Sequence, residues 1–156
     1  MNKATATAAG GIVAALALAT GVITKWEGVR YVPYRDAVGV LTVCYGHTGP
    51  DIEPAKRYTK DDCLGLLASD MSVADAEVSR CLKMPMLDHI RAALVSATFN
   101  IGPKVVCGST LQRKAIANDW PGACAELDRW NKAGGRVMRG LTLRRADERK
   151  LCEGKE

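Results

Sequence analysis

The chain has 156 residues, 47% hydrophobic and 25% charged, with a net charge of +5. One folded domain is the default at this length, and the composition excludes a disordered or fibrous protein. No run of five like charges and no basic helix with interleaved aromatics occurs, which argues against nucleic-acid binding. The mild basic excess suits an anionic polymer or surface without choosing one.

The first predicted element is unlike the rest. Residues 4–24, ATATAAGGIVAALALATGVIT, carry no charge. As a helix rising about 1.5 Å per residue they would reach across the roughly 30 Å of a hydrocarbon core. Ala, Gly and Thr fill 15 of these 21 positions, so membrane insertion is marginal. Lys3 and the amino terminus favour a cytoplasmic N-terminal side. The residues leave three readings open. One is a cleaved leader, with Ala17-Leu18-Ala19 as an A-x-A-like site. The others are a permanent anchor and an anchor that leaves the bilayer. Residues 1–25 are expected to form this segment and 26–156 the folded domain.

The rest reads as mostly α with a small β piece. The helix is expected to end near Trp26–Arg30, before Pro33 and Gly39 break the chain. VGVLTV is rich in β-branched residues and predicts a strand or hairpin. Residues 46–56 read as a loop punctuated by Gly46, Gly49, Pro50 and Pro54. Thr59 caps a helix to about Cys81, with Asp62 in the capping-box position. A second helix covers residues 87–101, ended by Gly102-Pro103. Shorter helices follow at 110–118 and 121–130, with Pro121 at a first helical position. Gly134-Gly135 reads as a loop, and a last helix runs from about 141 to 154.

Six cysteines, Cys44, Cys63, Cys81, Cys107, Cys124 and Cys152, are widely scattered. The even count, the lack of C-x-x-C and the presence of only two His favour disulfides over metal. Disulfides imply an oxidising, extracytoplasmic compartment. The pairing stays open at this point.

Glu27, Asp36 and Thr42 span a helix end, a turn and a strand, so a hairpin could bring them to one cleft. Hydrolysis of an acetal needs such a set: a carboxylic acid to protonate the leaving oxygen, a carboxylate to activate water, and a hydroxyl to hold that water. The spacing alone is a weak signal. EGVRYVPYRDAVGVLTVCYGHTG, however, resembles the phage lysozymes of the T4 type, on Glu27-Gly28, Arg30, Asp36, Gly39, Thr42 and Gly46-His47. The resemblance continues through YTKDDCLGLLASD, ATFNIGPKVVCGSTL, WPGACAELDRWNKAGG and GLTLRRADER. The Gly/Ala-rich N-terminus makes it most similar to the signal-arrest-release endolysins.

The resemblance implies a lysozyme-like α+β fold, mostly α, with a small β-hairpin lobe and a helical lobe after the weakly hydrophobic N-terminal helix. It implies a monomer that inverts at the anomeric carbon and cuts peptidoglycan between N-acetylmuramic acid and N-acetylglucosamine. Glu27 would be the general acid, and Asp36 and Thr42 would position the water. Phe99 and Thr110 match positions that touch saccharide. His47 and Asp70 match an ion pair. An arginine often pairs with the catalytic Glu; Arg136 is the nearest match by spacing from Trp130, with Arg139 as the alternative. In the implied fold Cys44 meets Cys63 and Cys124 meets Cys152, leaving Cys81 for Cys107. No metal or cofactor is implied. Residues 4–24 would hold the protein in the host inner membrane facing the periplasm until release.

Overall fold

The computed structural model describes the backbone of residues 3–155 and the side chains of residues 11–155. Helix α1, Lys3–Glu27, leads into a three-stranded antiparallel sheet of β1, Arg30–Arg35, β2, Leu41–Cys44, and β3, His47–Thr48. Helices α2, Lys60–Cys81, and α3, Asp88–Ile101, follow. Then come α4, Thr110–Ile116, α5, Trp120–Ala125, a hairpin of β4, Lys132–Ala133, and β5, Arg136–Val137, and finally α6, Arg139–Cys152.

Local chemistry accounts for the element ends. Thr59 accepts from the Asp62 amide and Asp62 accepts from the Thr59 amide, so two of the four open amides at the start of α2 are satisfied. Cys63, Leu67, Met71, Ala74 and Val78 then recur at helical spacing and are all buried. Helix α3 is apolar almost all round, with eight buried residues from Ile90 to Thr98, because it is the central element of the helical lobe.

Three features depart from the sequence reading. The segment after Gly46 contains a short third strand, which pairs Thr48 with Thr42 and His47 with Val43. Gly134-Gly135 is the two-residue turn of a hairpin, with both φ values positive, as a turn of this hand requires. The helix expected over 121–130 gives way after Ala125 to a tighter turn at Glu126–Arg129.

Helix α1 packs into the domain. Ala15, Ala19 and Ile23, four residues apart, are completely buried, and the helix lies chiefly against α3. Its other face leaves Ile12, Val13 and Leu18 exposed. No helix among the described residues is long and apolar enough to cross a membrane.

Disulfides join Cys44 to Cys63, Cys81 to Cys107, and Cys124 to Cys152. The first ties the sheet to α2. The second ties the end of α2 to the turn before α4, and the third ties α5 to the end of α6. Each closed loop of this size stabilises a fold by about 2–4 kcal/mol.

Candidate active site

Glu27 is the last residue of α1. Gly28 follows at φ +64°, a left-handed conformation that ends the helix and turns the chain into β1. The Glu27 side chain is 23% exposed. Its Oε1 accepts from Arg144 Nη1 at 2.5 Å, and the Arg144 side chain is only 4% exposed. Its Oε2 faces Gly46, where a Cβ would come within 3.8 Å. Glu27 thus keeps one oxygen tied to the protein and turns the other to a hollow of about 470 Å³. Thr48, Asp70, Thr98, Phe99 and Asn100 also line it.

Asp36 and Thr42 are not walls of this hollow. They sit on the hairpin beside it and are tied together through one peptide. The Val40 carbonyl accepts from the Asp36 amide at 2.9 Å and from Thr42 Oγ1 at 3.0 Å. The Val40 amide donates to Asp36 Oδ1 at 2.8 Å, and the Val38 amide donates to the same oxygen at 3.0 Å. The turn therefore fixes the Asp36 carboxylate through one oxygen. Thr42 is buried and sits in register between Tyr34 and Thr48. Cross-strand neighbours project to one face, so Thr42 shares its face with Thr48, which lines the Glu27 hollow.

Behind Glu27 lies a buried charge cluster. Glu148 Oε1 accepts from Arg144 Nε at 3.1 Å, Arg145 Nη2 at 3.0 Å and Ser96 Oγ at 2.8 Å. Arg145 Nε lies 2.7 Å from Glu148 Oε2, and Arg145 Nη2 also donates to Asn100 Oδ1 at 3.0 Å. Burial pushes the Glu148 carboxyl above its ordinary range, against the pull of Arg145 and Arg144.

His47 Nδ1 lies 2.9 Å from Asp70 Oδ2, and Nε2 lies 3.1 Å from Asp51 Oδ1. Burial works to lower the His47 pKa, and the hydrogen bonds to Asp70 and Asp51 more than reverse it, leaving the value raised. A raised folded value means stabilisation that is complete below about pH 6.5, the ordinary histidine value, and lost as pH rises through the folded one. His47 also holds the Asp51 carboxyl below its usual range, so the Asp51 share is lost as pH falls into the carboxylate range. Replacing His47 by Gln is expected to lower the melting temperature most near about pH 5–6 and progressively less toward about pH 9. Melting curves across that window would show a pH-independent difference if the charged pair contributes nothing.

The profile of the phage lysozyme family matches residues 24–148. The chain belongs to that family. Two SAR-endolysins resemble it over 97% of its length: that of Bacteriophage PS119, at 43% identity over 92% of that protein, and that of Enterobacteria phage P21, at 42% over 94%. Among solved structures, the active form of the P1 phage endolysin Lyz superposes with a TM-score of 0.78 at 25% identity, covering 88% of this chain and 83% of that one.

In this phage lysozyme, Phe99 lines the Glu27 hollow, whereas Thr110 does not. Thr110 opens α4 beside a separate hollow with Lys104, Arg113 and Trp130, and it accepts from Arg113 Nη2. Arg144, and neither Arg136 nor Arg139, pairs with Glu27. Arg136 is exposed on the β4–β5 hairpin, where its backbone pairs with Ala133, and Arg139 is exposed at the start of α6. Counting from Trp130 ends on that hairpin, while the next face of α6 delivers Arg144. The sequence reading does not reach the Arg144–Arg145–Glu148 cluster. Its one visible signal is an arginine pair followed by an acid within one helical turn, a pattern that usually marks a solvated surface.

Proposed function

We propose that this phage lysozyme is an endolysin that hydrolyses the β-1,4 bond between N-acetylmuramic acid and N-acetylglucosamine in peptidoglycan. The observation that carries this reading is the placing of Glu27. It is held by buried Arg144 through one oxygen and opens the other into the hollow, beside a hairpin carrying Asp36 and Thr42. Glu27 donates its proton to the leaving oxygen. The Asp36 carboxylate, steadied by the turn, takes a proton from the attacking water. The Thr42 hydroxyl has its own hydrogen committed to the Val40 carbonyl, so toward water it acts as an acceptor and aims the nucleophile. Water entering opposite the leaving group inverts the anomeric carbon. The cleft takes the polysaccharide without metal or cofactor, and the protein acts as a monomer.

The same reading gives residues 4–24 two environments: the host inner membrane before lysis, and the side of α3 afterwards, in the periplasm. Two observations support it. The exposed Ile12, Val13 and Leu18 are an apolar face that the folded domain leaves uncovered. The homologues named SAR-endolysins match 97% of the chain. A cleaved leader fits less well, since cutting after Ala19 would remove Ala15 and Ala19 from the core.

The test uses Ala14 and Ala17, which are exposed on α1. Gly11 is less suitable, because a Cβ there would meet Asp88 Oδ1 at 3.0 Å. Ala14→Leu/Ala17→Leu raises the insertion tendency without touching the folded seam. In cells the double variant is expected to stay in the membrane fraction and delay lysis. Purified, it and the wild type should clear peptidoglycan equally well. Unchanged lysis timing would overturn the tether, and a purified wild type that leaves peptidoglycan intact would overturn the hydrolase reading.

A further inference from the structure

The end of α1 is gripped by one face of α6. Lys25 Nζ lies 2.6 Å from Asp147 Oδ2, and Trp26 Nε1 donates to the same oxygen at 3.0 Å. The next residue, Glu27, is held by Arg144. Arg144 and Asp147 are three apart on α6 and so share a face. Two side chains of α6 therefore hold three consecutive residues of α1.

This grip matters because the rest of the α1 seat is smooth. Gly11, Ala15, Ala19 and Ile23 recur every four residues along the seam against α3, three of them small. A seam of small residues buries area but resists sliding or rotation weakly, since few side chains interlock. Thr20 spends its hydroxyl mainly on the Leu16 carbonyl of its own helix, at 2.8 Å, with Met71 Sδ a longer contact at 3.6 Å. Beyond Glu27 the chain leaves the helix at once through Gly28. A helix end of this kind frays unless side chains fix it.

We propose that Asp147 is a positioning residue. By accepting from Trp26 and pairing with Lys25, it sets the register of α1 on α6 and so places the Glu27 carboxyl in the cleft. The inference rests on the reading of Glu27 as the general acid. The Lys25 contact is exposed and contributes little by itself. The part-buried indole N–H is the stronger constraint, because a buried donor without an acceptor is unfavourable. A shift of about 1 Å in a catalytic group can lower a rate by about 100-fold.

The test compares Asp147→Ala, Asp147→Asn and Trp26→Phe in the full chain, with activity expressed per folded molecule. Asparagine keeps an acceptor for the indole, and alanine does not. Asp147→Ala is expected to lower kcat by about tenfold or more with KM within about twofold, since Thr48, Phe99 and Asn100, which line the cleft from other elements, stay in place. Asp147→Asn should recover most of the rate. Trp26→Phe should match the alanine variant, and the two changes together should be no worse than either alone. The Trp26 indole proton, followed by NMR, should exchange with water faster in Asp147→Ala. Unchanged kcat and unchanged indole exchange would overturn the proposal, and so would a loss confined to KM. If Glu27→Gln stays active in the same assay, the acid assignment fails instead, and the indole exchange alone then decides whether Asp147 seats the helix.

Discussion

Replacing Glu27 by Gln is expected to lower peptidoglycan hydrolysis by about 10²–10⁴-fold, the range associated with a positioned general acid. The geometry makes this exchange unusually clean. Arg144 holds Oε1, and the amide oxygen of Gln can take the same bond, so the helix end stays seated. What changes is the atom facing Gly46 and the hollow, where an acid that can release a proton becomes an amide that cannot. The measurement is the release of reducing muropeptides from purified peptidoglycan, with melting curves run in parallel. Equal release by both proteins would remove Glu27 from the mechanism and leave the family fold without its proposed acid.

The second large effect falls on stability. Glu148 is fully buried and meets two buried arginines at once. Glu148→Ala leaves those guanidiniums without it, in a place where Arg144 Nη2 and Arg145 Nη1 already have no partner among the described residues. Breaking a buried pair from one side destabilises by about 3–5 kcal/mol, which corresponds to roughly 10 °C in melting temperature for a domain of this size. Removing Arg145 together with Glu148 is a different experiment, which leaves Arg144 with Glu27 as its carboxylate partner. Arg145→Met/Glu148→Leu replaces charge with apolar volume, and such exchanges are often neutral. The double variant should therefore melt well above Glu148→Ala, and below the wild type by what Arg144 loses with its Glu148 contact. If calorimetry with the disulfides intact shows the two variants equally destabilised, the cluster acts by shape and not by charge.

Much of this molecule could be read from its residues. The Thr59–Asp62 capping box marks the start of α2 because the bonds that cap a helix are made within four residues. The turn from Asp36 to Val40 is legible for the same reason, since its hydrogen bonds span four residues, whereas the spacing of Asp36 and Thr42 does not say that they stand beside the Glu27 hollow and not in its wall. Arg144 was beyond such reasoning. It meets Glu27 across 117 positions, and no local pattern carries that information. Around it the hydrophobic pattern inverts: Arg144 and Arg145 are buried while Leu143 is half exposed, so periodicity points the wrong way. The fate of α1 was hidden for a related reason. Apolar residues at helical spacing suit lipid and a protein core equally, and only the completed fold shows Ala15, Ala19 and Ile23 against α3. The β4–β5 hairpin had its two-glycine signal, but strands of two residues are too short to show alternation.

The three disulfides begin at Cys44 and end at Cys152, and α1 precedes them all. The covalent frame can therefore close without α1, and α1 can dock or leave without any covalent bond being made or broken. Because helix and seat belong to one chain, they meet at an effective concentration fixed by the short connection between them, independent of how many copies are present. In the proposed cycle, docking is then a first-order event. Its half-time is the same whether a cell holds few molecules or many, and accumulation sets how much wall is cut, not when each molecule begins.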